Sequence, residues 1–391
     1  MKARFVVLSL IFLNSVLSFA QHFEGDELIF PERRIMAFVY KGADEDIVRS
    51  TLPRITSREG NQPGSWVYEW SSLGSFYDSQ GEEFFRNGHL DEARDSFLVS
   101  SNYYAMAWFP TNSSHEEKKA YQEHLRTYLR AGELFDVPLE VVNVPYRGDL
   151  VPVYLHSPVG IDNPPLILYT QGADQFKANA YPTVIDLVAK GFAVGTFDLL
   201  GTGENEKWLI SPSGDDLHLS ILDYFIKTNR YDNSRISFVG VSLGGYYAAK
   251  LATRNDPRIN SIVSFCPVVH SFAAQNIERI SQNLRSPEGA AMINLLRRAG
   301  AENPSDPEEA SRILSSLSLF NQGLVGQGKN ILTRLLVANG TRDPLGPVSD
   351  MYLLYNSAKD ADLWLLGEAQ HCAVEYLPVA TPQIADWILL Q

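Results

Sequence analysis

The chain has 391 residues, 45% of them apolar and 20% charged, a balance that supports a large buried core and excludes disorder over most of the length. A length of this order fits one large domain or two ordinary ones. The formal net charge is −13 and Lys and Arg form no long basic run, so neither nucleic acid nor an anionic membrane surface is an expected partner.

Residues 1–20 read as an export signal. Lys2 and Arg4 precede an apolar stretch from Phe5 to Leu17, and Ser18 and Ala20 put small residues at the positions a signal peptidase reads. Cleavage after Ala20 leaves Gln21 first and predicts a secreted or periplasmic protein. The stretch falls short of the ~20 apolar residues of a membrane-spanning helix, so no membrane attachment is expected after cleavage.

Residues 21–137 predict an all-helical cap domain of four or five helices. Leu90, Ala93, Phe97, Ser101, Tyr104 and Trp108 step by three and four along one helix face, between Gly88 and Pro110. Trp66–Arg86 and Glu116–Leu134 supply further helices. The aromatic residues Trp66, Trp70, Tyr103, Tyr104 and Trp108 fit two uses, helix packing and contact with an apolar or aromatic substrate.

From Leu139 the pattern changes to short β-branched runs alternating with helical stretches. A hairpin is expected from Val141–Pro145 and Leu150–His156 around Arg147-Gly148-Asp149. Strands follow at Leu166–Thr170, Ala193–Asp198, Ile236–Val241, Ile259–Phe265, Leu335–Asn339 and Leu363–Leu366. The intervening helices are Ala180–Lys190, Asp216–Thr228, Gly245–Thr253, Pro347–Ser357 and Glu375–Leu390. This alternation predicts an α/β fold, a mostly parallel eight-stranded sheet with helices on both faces, over residues 138–391. Residues 268–328 read as a helical insertion above the carboxyl edge of the sheet. Cys266 and Cys372 both fall in segments read as core; export permits a bridge, but two free buried thiols are the expectation.

Gly240-Val241-Ser242-Leu243-Gly244 fits G-x-S-x-G, and its setting gives the match weight. An apolar strand ends at the motif and a helical run begins after it, the strand–turn–helix arrangement of a nucleophile elbow. A serine hydroxyl needs a base, and His371 follows the last expected strand and precedes the closing helix. The base needs an orienting acid, and Asp343 directly follows the strand Leu335–Asn339. Glu368 and Asp350 are rivals for that role. Two backbone N–H donors should hold the oxyanion, one from Leu243 and one from the loop Gln171-Gly172-Ala173-Asp174, where Ala173 is the first choice and Gly172 the second. Asp198-Leu199-Leu200-Gly201-Thr202-Gly203 reads as a structural turn. Residue 206 is Glu, which breaks a dinucleotide-type G-x-G-x-x-G, and no metal-ligand spacing appears, so neither cofactor nor metal is expected.

With these motifs, the carboxyl two-thirds of the chain resembles the α/β-hydrolase superfamily. The helical region ahead of the sheet, including Phe84-Phe85-Arg86-Asn87-Gly88-His89-Leu90-Asp91-Glu92-Ala93, is similar to the cap of the branch holding the fermentation-respiration switch proteins and the dihydroxypseudooxynicotine hydrolases. The resemblance implies a serine triad under a helical cap and includes both ester hydrolases and enzymes that cleave a carbon–carbon bond beside a ketone. The oxyanion loop departs from it, with Gln-Gly-Ala where relatives often carry paired glycines. The leading expectation is a carboxylic ester hydrolase acting on a small apolar or aromatic molecule through an acyl-enzyme. A C–C hydrolase acting on a diketone with the same triad, and a non-catalytic binding protein on this fold, are the alternatives. A homodimer is compatible with all of them.

Overall fold

The computed structural model describes residues 30–111, 113–286 and 289–391; the expected signal segment lies outside them. Five helices precede the sheet: α1 (Glu32–Tyr40), α2 (Glu45–Thr51), α3 (Trp66–Arg86), α4 (Leu90–Trp108) and α5 (His115–Gly132). Their starts are chemically marked. The Asp44 side chain accepts the N–H of Ile47 at the head of α2, and Ser114 and Glu117 form a reciprocal capping box on α5, each cap contributing about 1 kcal/mol. The apolar faces of α3, α4 and α5 close on one another around Trp66, Trp70, Phe97, Tyr103, Trp108 and Tyr128, all essentially inaccessible. Trp70 stacks on Tyr103, and Trp108 stacks on Phe176, which belongs to the catalytic half of the chain. The core of the helical layer thus takes in Tyr154, Phe176 and Ala178 of the catalytic half.

The sheet contains β1 (Leu139–Tyr146), β2 (Asp149–His156), β3 (Leu166–Thr170), β4 (Ala193–Phe197), β5 (Ile236–Val241), β6 (Ser261–Phe265), β7 (Arg334–Gly340) and β8 (Ala361–Leu366). Its strand order is β1-β2-β4-β3-β5-β6-β7-β8. The hairpin β1–β2 turns on Arg147 and Gly148, both at positive φ, and β2 runs antiparallel to β4; every later pairing is parallel. The helices α6 (Tyr181–Ala189), α7 (Asp216–Thr228), α8 (Leu243–Ala252), α12 (Val348–Ser357) and α13 (Leu377–Leu389) cover the two faces. Strands β3, β4 and β6 are buried along their whole length, which is why they read as unbroken apolar runs.

Between β6 and β7 lie α9 (Ile277–Leu284), α10 (Gly289–Arg298) and α11 (Pro307–Leu317). They carry a small core of their own around Ile280, Met292, Leu296 and Leu314. Parallel strands deliver their carboxyl ends to one edge of the sheet, where the connecting loops converge. The insertion leaves β6 at that edge, so it forms a wall beside the loops that follow β3, β5, β7 and β8.

Candidate active site

Ser242 stands between the end of β5 and the start of α8 at φ 57° and ψ −113°, a conformation an L-residue holds only when its surroundings enforce it. The flanking glycines show the enforcement. A Cβ on Gly240 would meet the carbonyl oxygen of Gly244 at 2.1 Å, and one on Gly244 would meet those of Gln171 and Thr170 at 2.6 and 2.7 Å. The turn is pinned across the sheet by the Ser242 N–H donating to the Phe265 carbonyl at 2.9 Å.

The side chains converge. Ser242 Oγ lies 2.9 Å from His371 Nε2, and His371 Nδ1 lies 2.7 Å from Asp343 Oδ2. Asp343 is held in turn by the Asn339 amide at 2.7 Å and the Leu345 N–H at 2.7 Å. Burial pushes the Asp343 carboxyl up, but its hydrogen bond and charge contact with His371, together with the Asn339 and Leu345 donors, outweigh that and hold it below the ordinary value. The rival carboxylates have other partners. Asp350 accepts the N–H groups of His270 and Ser271 and the Ser271 hydroxyl, anchoring the start of the insertion. Glu368 pairs with Arg342 on the surface.

Leu243 is the first residue of α8, so its N–H has no partner within the helix. The loop after β3 crosses directly over the serine: a Cβ on Gly172 would lie 3.1 Å from Ser242 Cβ. The loop is fixed by Gln171, whose carbonyl accepts the Gly244 N–H at 3.1 Å, and by Arg298 of α10, which donates to the Ala173 carbonyl at 2.6 Å. Gly172, Ala173 and Leu243 thus border the same space as Ser242.

That space is a cavity of about 630 Å³. One wall, from the insertion, is apolar and includes Phe272, Met292, Leu295, Leu314 and Leu317. Another part of the wall comes from α1 and its C-terminal end, with Arg33, Arg34, Ala37, Tyr40 and Lys41. Sequence reasoning missed this wall, although Arg34, Ala37 and Lys41 are spaced by three and four on one helix face. None of Trp66, Trp70, Tyr103, Tyr104 or Trp108 borders the cavity; they are the packing of the helical layer.

Cys266 and Cys372 are not free thiols: they form a disulfide. Both lie at positive φ, Cys266 directly after β6 and Cys372 beside His371 in the turn of residues 371–376, and the convergence of the chain at the carboxyl edge of the sheet brings them together across a separation of 106 residues. Among the described residues, Cys266, His371 and Cys372 are close enough to share a metal ion, but both sulfurs are spent in the bridge and both ring nitrogens of His371 are hydrogen-bonded. The Asp198–Gly203 segment is a structural turn. Asp198 accepts the Lys177 N–H, the Lys177 ammonium and the Glu204 N–H, all buried or partly so.

A family model described as "Esterase FrsA-like" matches residues 44–388. The chain belongs to the FrsA-like esterase family. The esterases FrsA of Photobacterium profundum and Yersinia pestis are each 24% identical to it. The first alignment covers 83% of this chain and 76% of the relative, the second 90% and 86%. The solved 2,6-dihydroxy-pseudo-oxynicotine hydrolase superposes with a TM-score of 0.74 at 20% identity, over 90% of this chain and 94% of that one, a likeness that establishes the α/β-hydrolase fold. The FrsA-like chain is a hydrolase of the esterase type.

Proposed function

We propose that this FrsA-like protein hydrolyses carboxylic esters of small molecules through an acyl-enzyme. Ser242 Oγ attacks the ester carbonyl while His371 Nε2 takes its proton, and the same nitrogen then gives that proton to the departing alcohol. A water molecule, activated by His371, attacks the acyl-enzyme and releases the acid. Asp343 holds the imidazole in the tautomer with Nδ1 protonated and stabilises its charged form. The oxyanion is received by the N–H of Leu243, at the positive end of α8, and by that of Ala173 or Gly172. The observation that carries the reading is the unbroken hydrogen-bond chain from Ser242 through His371 to Asp343, opening on a cavity of about 630 Å³. A binding protein on this fold has no need of such a chain.

The test is hydrolysis of a panel of p-nitrophenyl esters by wild type and Ser242→Ala. Loss of at least about 10³-fold in kcat/KM is expected. Equal rates in both proteins refute the reading. Labelling of Ser242 by a fluorophosphonate without turnover of any ester would point to the carbon–carbon hydrolase alternative.

We further propose that the protein is exported and loses residues 1–20. The basic start, the apolar stretch and the small residues before Gln21 support this, and the Cys266–Cys372 bridge suits an oxidising compartment. Amino-terminal sequencing of the protein recovered from its host should begin at Gln21; retention of Met1 would refute the proposal.

A further inference from the structure

The chain carries a net charge of −13, yet its active-site cavity is cationic. Arg33, Arg34, Lys41 and, at the mouth, Arg279 line it, and among the described residues Asp174 is the one carboxylate bordering it. Asp174 is already engaged by Arg34 at 2.7 Å. Lys41 leans over the Phe38 ring, 5.5 Å from its centroid, and donates to the side-chain carbonyl of Gln175, a neutral acceptor. Burial pushes the Lys41 ammonium down to about 7, against the attraction of Asp174 and together with the repulsion of Arg34. A partly buried ammonium beside a guanidinium whose own carboxylate is already engaged, with an amide oxygen as its hydrogen-bond acceptor, gains from an anion that enters the cavity. Helix α1, which bears this wall, packs against the turn that carries His371, so the wall and the triad are parts of one assembly.

We propose that the Arg33–Arg34–Lys41 wall receives a carboxylate of the substrate, making the preferred substrates esters with an anionic group remote from the scissile carbonyl. The proposal rests on the serine-esterase reading and gives it a substrate class. The carbon chain between carboxylate and ester lies along Phe272, Met292, Leu295 and Leu314. A guanidinium offers a planar fork to a carboxylate and an ammonium a point charge, so the two residue types together suit a carboxylate at the end of a flexible chain.

The experiment compares mono-p-nitrophenyl adipate with p-nitrophenyl hexanoate, equal in chain length and differing in the terminal carboxylate. In wild type the adipate ester should have the higher kcat/KM by at least about tenfold, the effect of one charge-assisted hydrogen bond, and should gain it mainly through KM. Lys41→Met should bring the ratio close to one, and Lys41→Arg should keep most of it. A wild-type ratio at or below one overturns the proposal whatever the variants do, as does an unchanged ratio in a folded Lys41→Met protein. Ser242→Ala separates the two levels of inference. Ser242-dependent hydrolysis of the hexanoate without a preference for the adipate overturns the anionic substrate alone. Hydrolysis of both esters independent of Ser242 overturns the esterase reading as well.

Discussion

Ser242 and His371 are placed by backbone, and Asp343 by hydrogen bonds. The carboxylate of Asp343 is buried and accepts from His371, Asn339 and Leu345, so replacing it should change the tautomer of the base more than the position of the ring. Asp343→Asn is expected to lower kcat by about 10³–10⁴-fold with little change in KM, as measured on the ester panel. The same residue has a signature in stability. Its native value is depressed below the ordinary 3.8, so its contribution is present in full above that pH and fades as pH falls through the depressed value. That these three side chains would come together was legible in the sequence because each follows a recognisable strand and their order along the chain is that of the resembling superfamily. Lys41 and Arg34 were not, because nothing in a short amphipathic helix says which of its faces meets a cavity supplied by distant segments.

At the level of elements, the elbow depends on the loop after β3 lying against α8 with no atom to spare. Gly244→Ala would drive a Cβ into the carbonyls of Gln171 and Thr170 and displace the loop that carries Gly172 and Ala173. Overpacking of this kind costs about 1–3 kcal/mol, but the expected loss of kcat is larger than that stability change explains, because the proposed oxyanion donors move with the loop. Kinetics and urea denaturation on the same samples distinguish this from simple destabilisation. The strands and helices around the elbow matched their sequence patterns closely: β3 and α7 have the expected bounds, since an unbroken apolar run and a clear 3.6-residue period leave little choice. The last helix was read too early. Residues 371–376 form a separate turn in which Cys372 and Ala373 take left-handed backbone angles. Apolar periodicity carries no mark of such a turn, and the bridge to Cys266 that accompanies it joins residues far apart in sequence.

At the scale of the whole molecule, three histidines among the described residues are buried in apolar surroundings: His124 beside Trp108 and Tyr121, His156 beside Phe135 and Tyr128, and His218 between Phe197 and Tyr247. Burial pushes each of them down to about 4 from 6.5. Below 6.5 the unfolded chain binds protons that the native state refuses, so stability should fall as pH drops from about 6.5 toward 4, by at most on the order of 3 kcal/mol per histidine. Urea midpoints at stepped pH values measure the slope, and His218→Gln should reduce it by about the share of one proton. A slope unchanged in that variant would show that His218 is protonated in the native state.

The Cys266–Cys372 bond also changes what a cut chain would be. A protease that cleaves after Arg285, in the exposed turn at the end of α9, divides Ser242 on one fragment from Asp343 and His371 on the other. Cys266 lies before the cut and Cys372 after it, so the fragments remain one covalent molecule, with β6 and β7 still paired. Nicked protein should therefore run as two bands on a reducing gel and one on a non-reducing gel, and keep its esterase activity until a thiol reductant is added. Such a ring tolerates damage to its own active-site wall.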